Sequence, residues 1–197
     1  NWGGIHYSNS IIYTLGAAFS DYPHCYGRSW FVCSDNFIDK AKFDFYITTN
    51  SDVKAVCSGN LISETENSNS KTYHWRLEQS APTYAVGMTI ANFEKLDRQI
   101  TSNNRQIPLN VYYFANDSLA IEENFKHIDS AFIRLEKCFG DFKFNRVGYC
   151  TTPKGSMEHI DNISLDHSLA TNPSLQSQSV IVHEMGHAWF GNLITCA

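Results

Sequence analysis

Two histidines four residues apart, His183 and His187, with Glu184 directly after the first, are the residues of this sequence best suited to chemistry. On a helix, positions i and i+4 share one face, about one turn apart. That spacing lets both ring nitrogens reach a single Zn2+ at ~2.0–2.1 Å. Glu184 then projects off the ligand axis, toward the place of a metal-bound water. Zinc lowers the pKa of such a water from ~15.7 toward about 7, and a neighbouring carboxylate can take its proton and pass it to a leaving amine. The flanks suit a buried site. Val180-Ile181-Val182 precede the motif and Ala188-Trp189-Phe190 follow it, so water is expected at one face only. A chance match to this spacing would more often carry charged flanks. A metzincin would have Gly three and His six residues after the second histidine; Phe190 and Leu193 stand there, which excludes that class.

The elements that must position these side chains divide the chain in two. The first part reads as β. Phe43, Phe45 and Ile47 alternate with polar residues over residues 41–49. Further strands are expected at 29–33, 53–58, 71–78 and 83–92. The polar stretch 64–70 reads as a hairpin loop. The character changes near 105–108. A strand at 109–114 leads into a long amphipathic helix at 117–139, whose apolar residues Ile121, Phe125, Ile128, Phe132, Leu135 and Phe139 recur at steps of four and three. Asn116, Asp117 or Ser118 can cap its start and Gly140 its end. Strands are expected at 144–151 and 160–169. Pro173 and Ser174 then introduce the histidine helix. The expected class is α+β: a sandwich-like β domain over 1–107, then a second domain over 108–197.

Composition narrows the partners. Hydrophobic residues make up 43% and aromatics 14%, enough for a packed core. A net charge of −5 without a Lys/Arg cluster gives no reason to expect nucleic acid. No apolar run approaches the roughly 20 residues of a membrane helix. The six cysteines contain no CxxC pair and read mostly as small buried hydrophobes. His6, His24, His74, His127 and His167 read as structural or exposed. The compartment is open. Because the first residue is Asn1 rather than Met, the chain is expected to be cut at both ends.

The longer run Val182-His183-Glu184-Met185-Gly186-His187-Ala188-Trp189-Phe190-Gly191-Asn192-Leu193-Ile194-Thr195 resembles the zinc helix of the aminopeptidase N family, gluzincins with a thermolysin-like catalytic domain. Upstream, Gly155-Ser156-Met157-Glu158-His159 resembles that family's Gly-x-Met-Glu-Asn exopeptidase motif, with His159 in place of Asn. Residues 30–36, 40–43 and 81–87 resemble parts of its N-terminal β domain, in the family's order.

The resemblance implies an N-terminal β domain followed by the first part of the catalytic domain. It implies His183 and His187 as ligands of one Zn2+, Glu184 as general base and Glu158 as the partner of the substrate's α-amine. Gly155, Met157 and His159 join Glu158 in the substrate-binding segment, Gly155 through its backbone. The expected reaction is hydrolysis of N-terminal residues from peptides with a free amine. The third zinc ligand and a transition-state tyrosine are expected beyond Ala197, so this piece alone should bind zinc weakly and hydrolyse little. Its apolar face, including Val180, Ile181, Trp189, Phe190 and Leu193, would then be open to self-association. An endopeptidase or epoxide hydrolase on the same scaffold, and a non-catalytic interaction module, are the competing readings.

Overall fold

The computed structural model describes residues 4–16 and 25–195. Among the described residues, three sheets and the helices form two apolar cores. The first sheet joins β1 (Gly4–Ser8), β2 (Ile11–Leu15), β7 (Met88–Ala91) and β4 (Lys54–Cys57) in the antiparallel order β1-β2-β7-β4. A second, also antiparallel, runs β3 (Lys40–Asn50), β6 (Ser70–Pro82), β5 (Asn60–Asn67). These two enclose the first core, around Trp75, Leu77, Val56, Tyr84 and Phe93.

The third sheet has the order β11-β10-β9-β8: β8 (Glu94–Ser102), β9 (Arg105–Tyr113), β10 (Val147–Thr152) and β11 (Ile163–Asp166). β8 and β9 form an antiparallel hairpin, whereas β9, β10 and β11 run parallel. Parallel strands need a crossover. Helices α1 (Ser118–Phe125) and α2 (Ile128–Phe139) make the one between β9 and β10. They bury Ile121, Phe125, Ile128 and Phe132 in the second core. A short α3 (His167–Ala170) follows β11, and α4 (Leu175–Gly186) carries the histidines. Residue 107 lies inside β9, paired with Ile100 of β8, and both belong to the second core. The class is α+β, as the sequence indicates.

Several elements differ from the sequence reading. The helix expected over 117–139 is two. Arg98 Nη2 donates to the Phe125 carbonyl at 2.8 Å, taking the acceptor that an unbroken helix would offer to Asp129. His127 sits off helical geometry at φ −108°, ψ 6°. Residues 64–70 are strand and tight turn rather than loop: β5 pairs with β6 along its length. It is an edge strand exposed at every position, so no apolar alternation marks it. The strand expected at 29–33 is a 3-10 turn (Gly27–Ser29) followed by irregular chain. Trp30 and Phe31 pack on the first core there, but their amides bond locally to the Gly27 carbonyl. Residues 83–92 begin with a 3-10 turn before β7. The strand expected at 160–169 covers only β11, because Asp166 caps α3 by accepting from the Ser168 amide at 2.9 Å.

Cys25, Cys57 and Cys150 are buried free thiols and Cys33 is half-buried, while Cys138 is exposed; Cys196 lies outside the described residues, as does His24. No described helix is long and apolar enough to cross a membrane.

Candidate metal centre

Helix α4 is fixed at both ends and along its buried side. Ser174 caps its start, its Oγ accepting from the Ser177 amide at 3.1 Å. Ile181 and Met185 enter the second core four residues apart. Tyr149 of β10, fully buried, donates its hydroxyl to the Ile181 carbonyl at 2.8 Å. Trp189 packs beside Phe132 and Phe142, and its indole N–H reaches the Gly140 carbonyl at 2.8 Å.

These anchors turn His183 and His187 outward together. Their Nε2 atoms are 3.2 Å apart and their rings meet edge to face at 87°. Two nitrogens each ~2.05 Å from a tetrahedral ion lie about 3.3 Å from one another, so the pair has the span that one Zn2+ requires. His187 Nδ1–H donates to the Phe190 carbonyl at 2.9 Å. That bond places the ring proton on Nδ1 and leaves the Nε2 lone pair for a cation.

Two carboxylates converge on the same place. Potential ligand atoms of Glu158, Glu184 and His187 all lie within 4.8 Å of one another. Glu184 is buried, and its carboxyl is pushed up to about 8, first by burial and then by the neighbouring charge of Glu158. A divalent cation beside it would favour the ionised form and reverse that shift. The donor set of two imidazoles and carboxylates suits zinc.

Glu158 is held from both sides of its chain. The segment 155–159 runs beside β11: the Met157 amide donates to the Ser164 carbonyl at 3.1 Å and the Ser164 amide returns the bond at 2.9 Å. Asn192 Nδ2 donates to the Glu158 carbonyl at 2.9 Å, tying this segment to the turn after α4. Gly155 has φ +84°, a conformation that other residues rarely adopt. Its amide donates to Asp166 Oδ2 and its carbonyl accepts from Thr152 Oγ1, both at 2.8 Å.

The side chains expected to bind substrate separate here. Glu158 comes within 4.8 Å of ligand atoms of Glu184 and His187. Met157 is buried in the first core. His159 is 1% exposed, and burial pulls its pKa down to about 3. Its ring packs over Gly87, where an added Cβ would lie 2.4 Å from His159 Nδ1. Asp166 and Asn192 are positioning residues that the sequence reading did not single out. Asn192 lies within the run that follows His187, which was its available signal; Asp166 had none. Among the other histidines, His167 bonds Asp117 Oδ2 at 3.0 Å and His74 bonds Asp44 Oδ1 at 2.5 Å. Ile181 and Trp189 are buried and Val180 half-buried, whereas Phe190, Leu193 and Ile194 are exposed.

Comparison with known proteins finds relatives over most of the chain's length. No protein-family profile matches the chain. It is 26% identical to leucine aminopeptidase 2 of Candida glabrata over 181 residues, covering 90% of this chain and 26% of that protein. It is 27% identical to glutamyl aminopeptidase of Bos taurus over 198 residues, covering 92% of this chain and 20% of that one. The crystal structure of an M1 zinc metallopeptidase from Deinococcus radiodurans superposes with a TM-score of 0.80 at 22% identity, over 98% of this chain and 42% of that chain. The chain thus spans about a fifth to a quarter of these curated relatives. Along nine-tenths of its length it resembles the zinc aminopeptidases of the aminopeptidase N family, and its fold is a portion of the M1 zinc metallopeptidase fold.

Proposed function

We propose that the protein carrying this chain is a zinc aminopeptidase, with His183 and His187 as ligands of one Zn2+. The observation that supports this best is the 3.2 Å separation of the two Nε2 atoms, with the Glu158 and Glu184 carboxylates close to His187. When bound, the ion would acidify a water and polarise the scissile carbonyl. Glu184 would take the proton and deliver it to the leaving amine. Its burial limits access of bulk solvent, and the cation would supply the charge that keeps its carboxylate ionised. Glu158 would pair with the α-ammonium of the substrate, a charge that needs a carboxylate partner once water is excluded. Gly155 permits close approach of a peptide backbone, while Asp166 holds its amide.

This reading makes the substrate a peptide with a free N-terminus, and it applies to the whole protein. A boundary between β domain and catalytic domain belongs near residue 107 on composition; the β8–β9 hairpin, whose residues share the second core, favours a position nearer 93. Phe190, Leu193 and Ile194 are the side chains through which self-association would act.

Paired peptides that differ only in N-acetylation test the proposal in the full protein. Cleavage confined to the free-amine peptide is expected. Equal cleavage of both would point to an endopeptidase on this scaffold, and cleavage of neither to a different role.

A further inference from the structure

Against Glu184 lies a cavity of about 20 Å3 lined also by Arg146, His159, Asp161 and Asn192. Each of these four residues is at least nine-tenths buried. Each also brings one polar atom without a protein partner: Arg146 Nη1, His159 Nε2, Asp161 Oδ2 and Asn192 Oδ1. Buried polar atoms are rarely left so. The set is mixed. Arg146 Nη1 is a donor, while Asp161 Oδ2 and Asn192 Oδ1 are acceptors. His159 is neutral, and Ser164 Oγ lies 3.2 Å from its Nδ1; with Ser164 as the donor there, the Nε2–H would be a second donor to the cavity. An ion of either sign would be repelled by half of this lining. Water donates and accepts two bonds each, and the volume suits one molecule.

We propose that this cavity binds one structural water, and that the water fixes the Asn192 amide in the orientation that holds the main chain of Glu158. Asn192 Nδ2 already donates to the Glu158 carbonyl. Reversal of the amide would set two acceptors against each other at Glu158, and a water that accepts from Arg146 Nη1 and His159 Nε2 and donates to Asp161 Oδ2 and Asn192 Oδ1 would add to that preference, having no lone pair left for an Asn192 N–H. His159 thereby acts on Glu158 through the water and Asn192. It is a positioning residue, and its ring fits because residue 87 is glycine. The inference rests on the assignment of the α-amine to Glu158 only where it concerns substrate.

A crystal structure of the full protein, at a resolution that shows ordered waters, tests the site. One water within hydrogen-bond distance of both His159 Nε2 and Asn192 Oδ1 is expected. In kinetics, Asn192→Asp keeps the shape and loses the donor to Glu158. It should raise KM for free-amine peptides about tenfold, with kcat changed less than about twofold. A dry cavity, a water that does not touch Asn192, or an Asn192→Asp enzyme with unchanged KM overturns the inference. Glu158→Gln run alongside separates the two readings. If it leaves KM unchanged, the amine assignment fails, while the water is still decided by the electron density. Should Asn192→Asp not fold, that density in the unmodified protein decides alone.

Discussion

Replacing Arg146 by methionine should destabilise the protein by about 3–6 kcal/mol, and more at alkaline than at acid pH. Arg146 is 4% exposed. Its Nε donates to the Gly59 carbonyl at 2.9 Å and its Nη2 to the Cys57 carbonyl at 3.0 Å. Its guanidinium carbon lies 5.0 Å from the centre of the Trp75 ring. Charge-assisted bonds contribute roughly 1.5–3 kcal/mol each and a partly desolvated cation–π contact about 0.5–2, and such terms overlap when one side chain makes them all. Methionine keeps most of the stem's packing and leaves both carbonyls unpaired. It also removes the positive charge that faces Asp161. Burial pushes Asp161 up to about 6, with the Arg146 guanidinium opposing that rise. A carboxyl whose folded-state pKa exceeds its unfolded value binds more protons when folded, so its contribution falls as pH rises from about 4 through 6. Without Arg146 the folded-state value climbs further, and the loss continues to higher pH. Urea unfolding of both proteins near pH 5 and pH 8 measures this. A loss under about 1 kcal/mol, or a larger loss at pH 5 than at pH 8, would refute the reasoning.

Two further outcomes concern the frame around the site. His159, held neutral to about 3 by burial, binds no proton in the folded state while the unfolded chain takes one near pH 6.5. Stability should therefore fall as pH drops from about 6.5 toward 3, by at most ~1.4 kcal/mol per pH unit from this residue, and His159→Asn should flatten that slope in denaturant titrations. Tyr149→Phe removes the hydroxyl that reaches the Ile181 carbonyl; it should cost about 0.5–1.5 kcal/mol and speed amide hydrogen exchange in α4.

The metal helix was legible because its signals are local: Ser174 as cap, Ile181 and Met185 one turn apart on the core side, His183 and His187 one turn apart on the other. The break between α1 and α2 was not. It depends on Arg98, twenty-seven residues away in sequence, claiming one backbone carbonyl. β5 carries no apolar signal, because an edge strand exposed on every side chain uses only its backbone to pair. Glu158 could be read from its motif. That His159 would turn inward could not, since its space is provided by Gly87, a residue seventy-two positions away in sequence. Asp166 and Asn192 act on backbone atoms of the site, a role that residue type and spacing do not advertise.

Glu184 would act on a water held at His183 and His187. Glu184→Gln in the full protein, assayed for turnover of an aminoacyl anilide and for bound zinc, tests it most directly. Zinc should remain at one ion per protein while turnover falls by about 10²–10⁴-fold. Unchanged turnover with zinc in place would contradict the account.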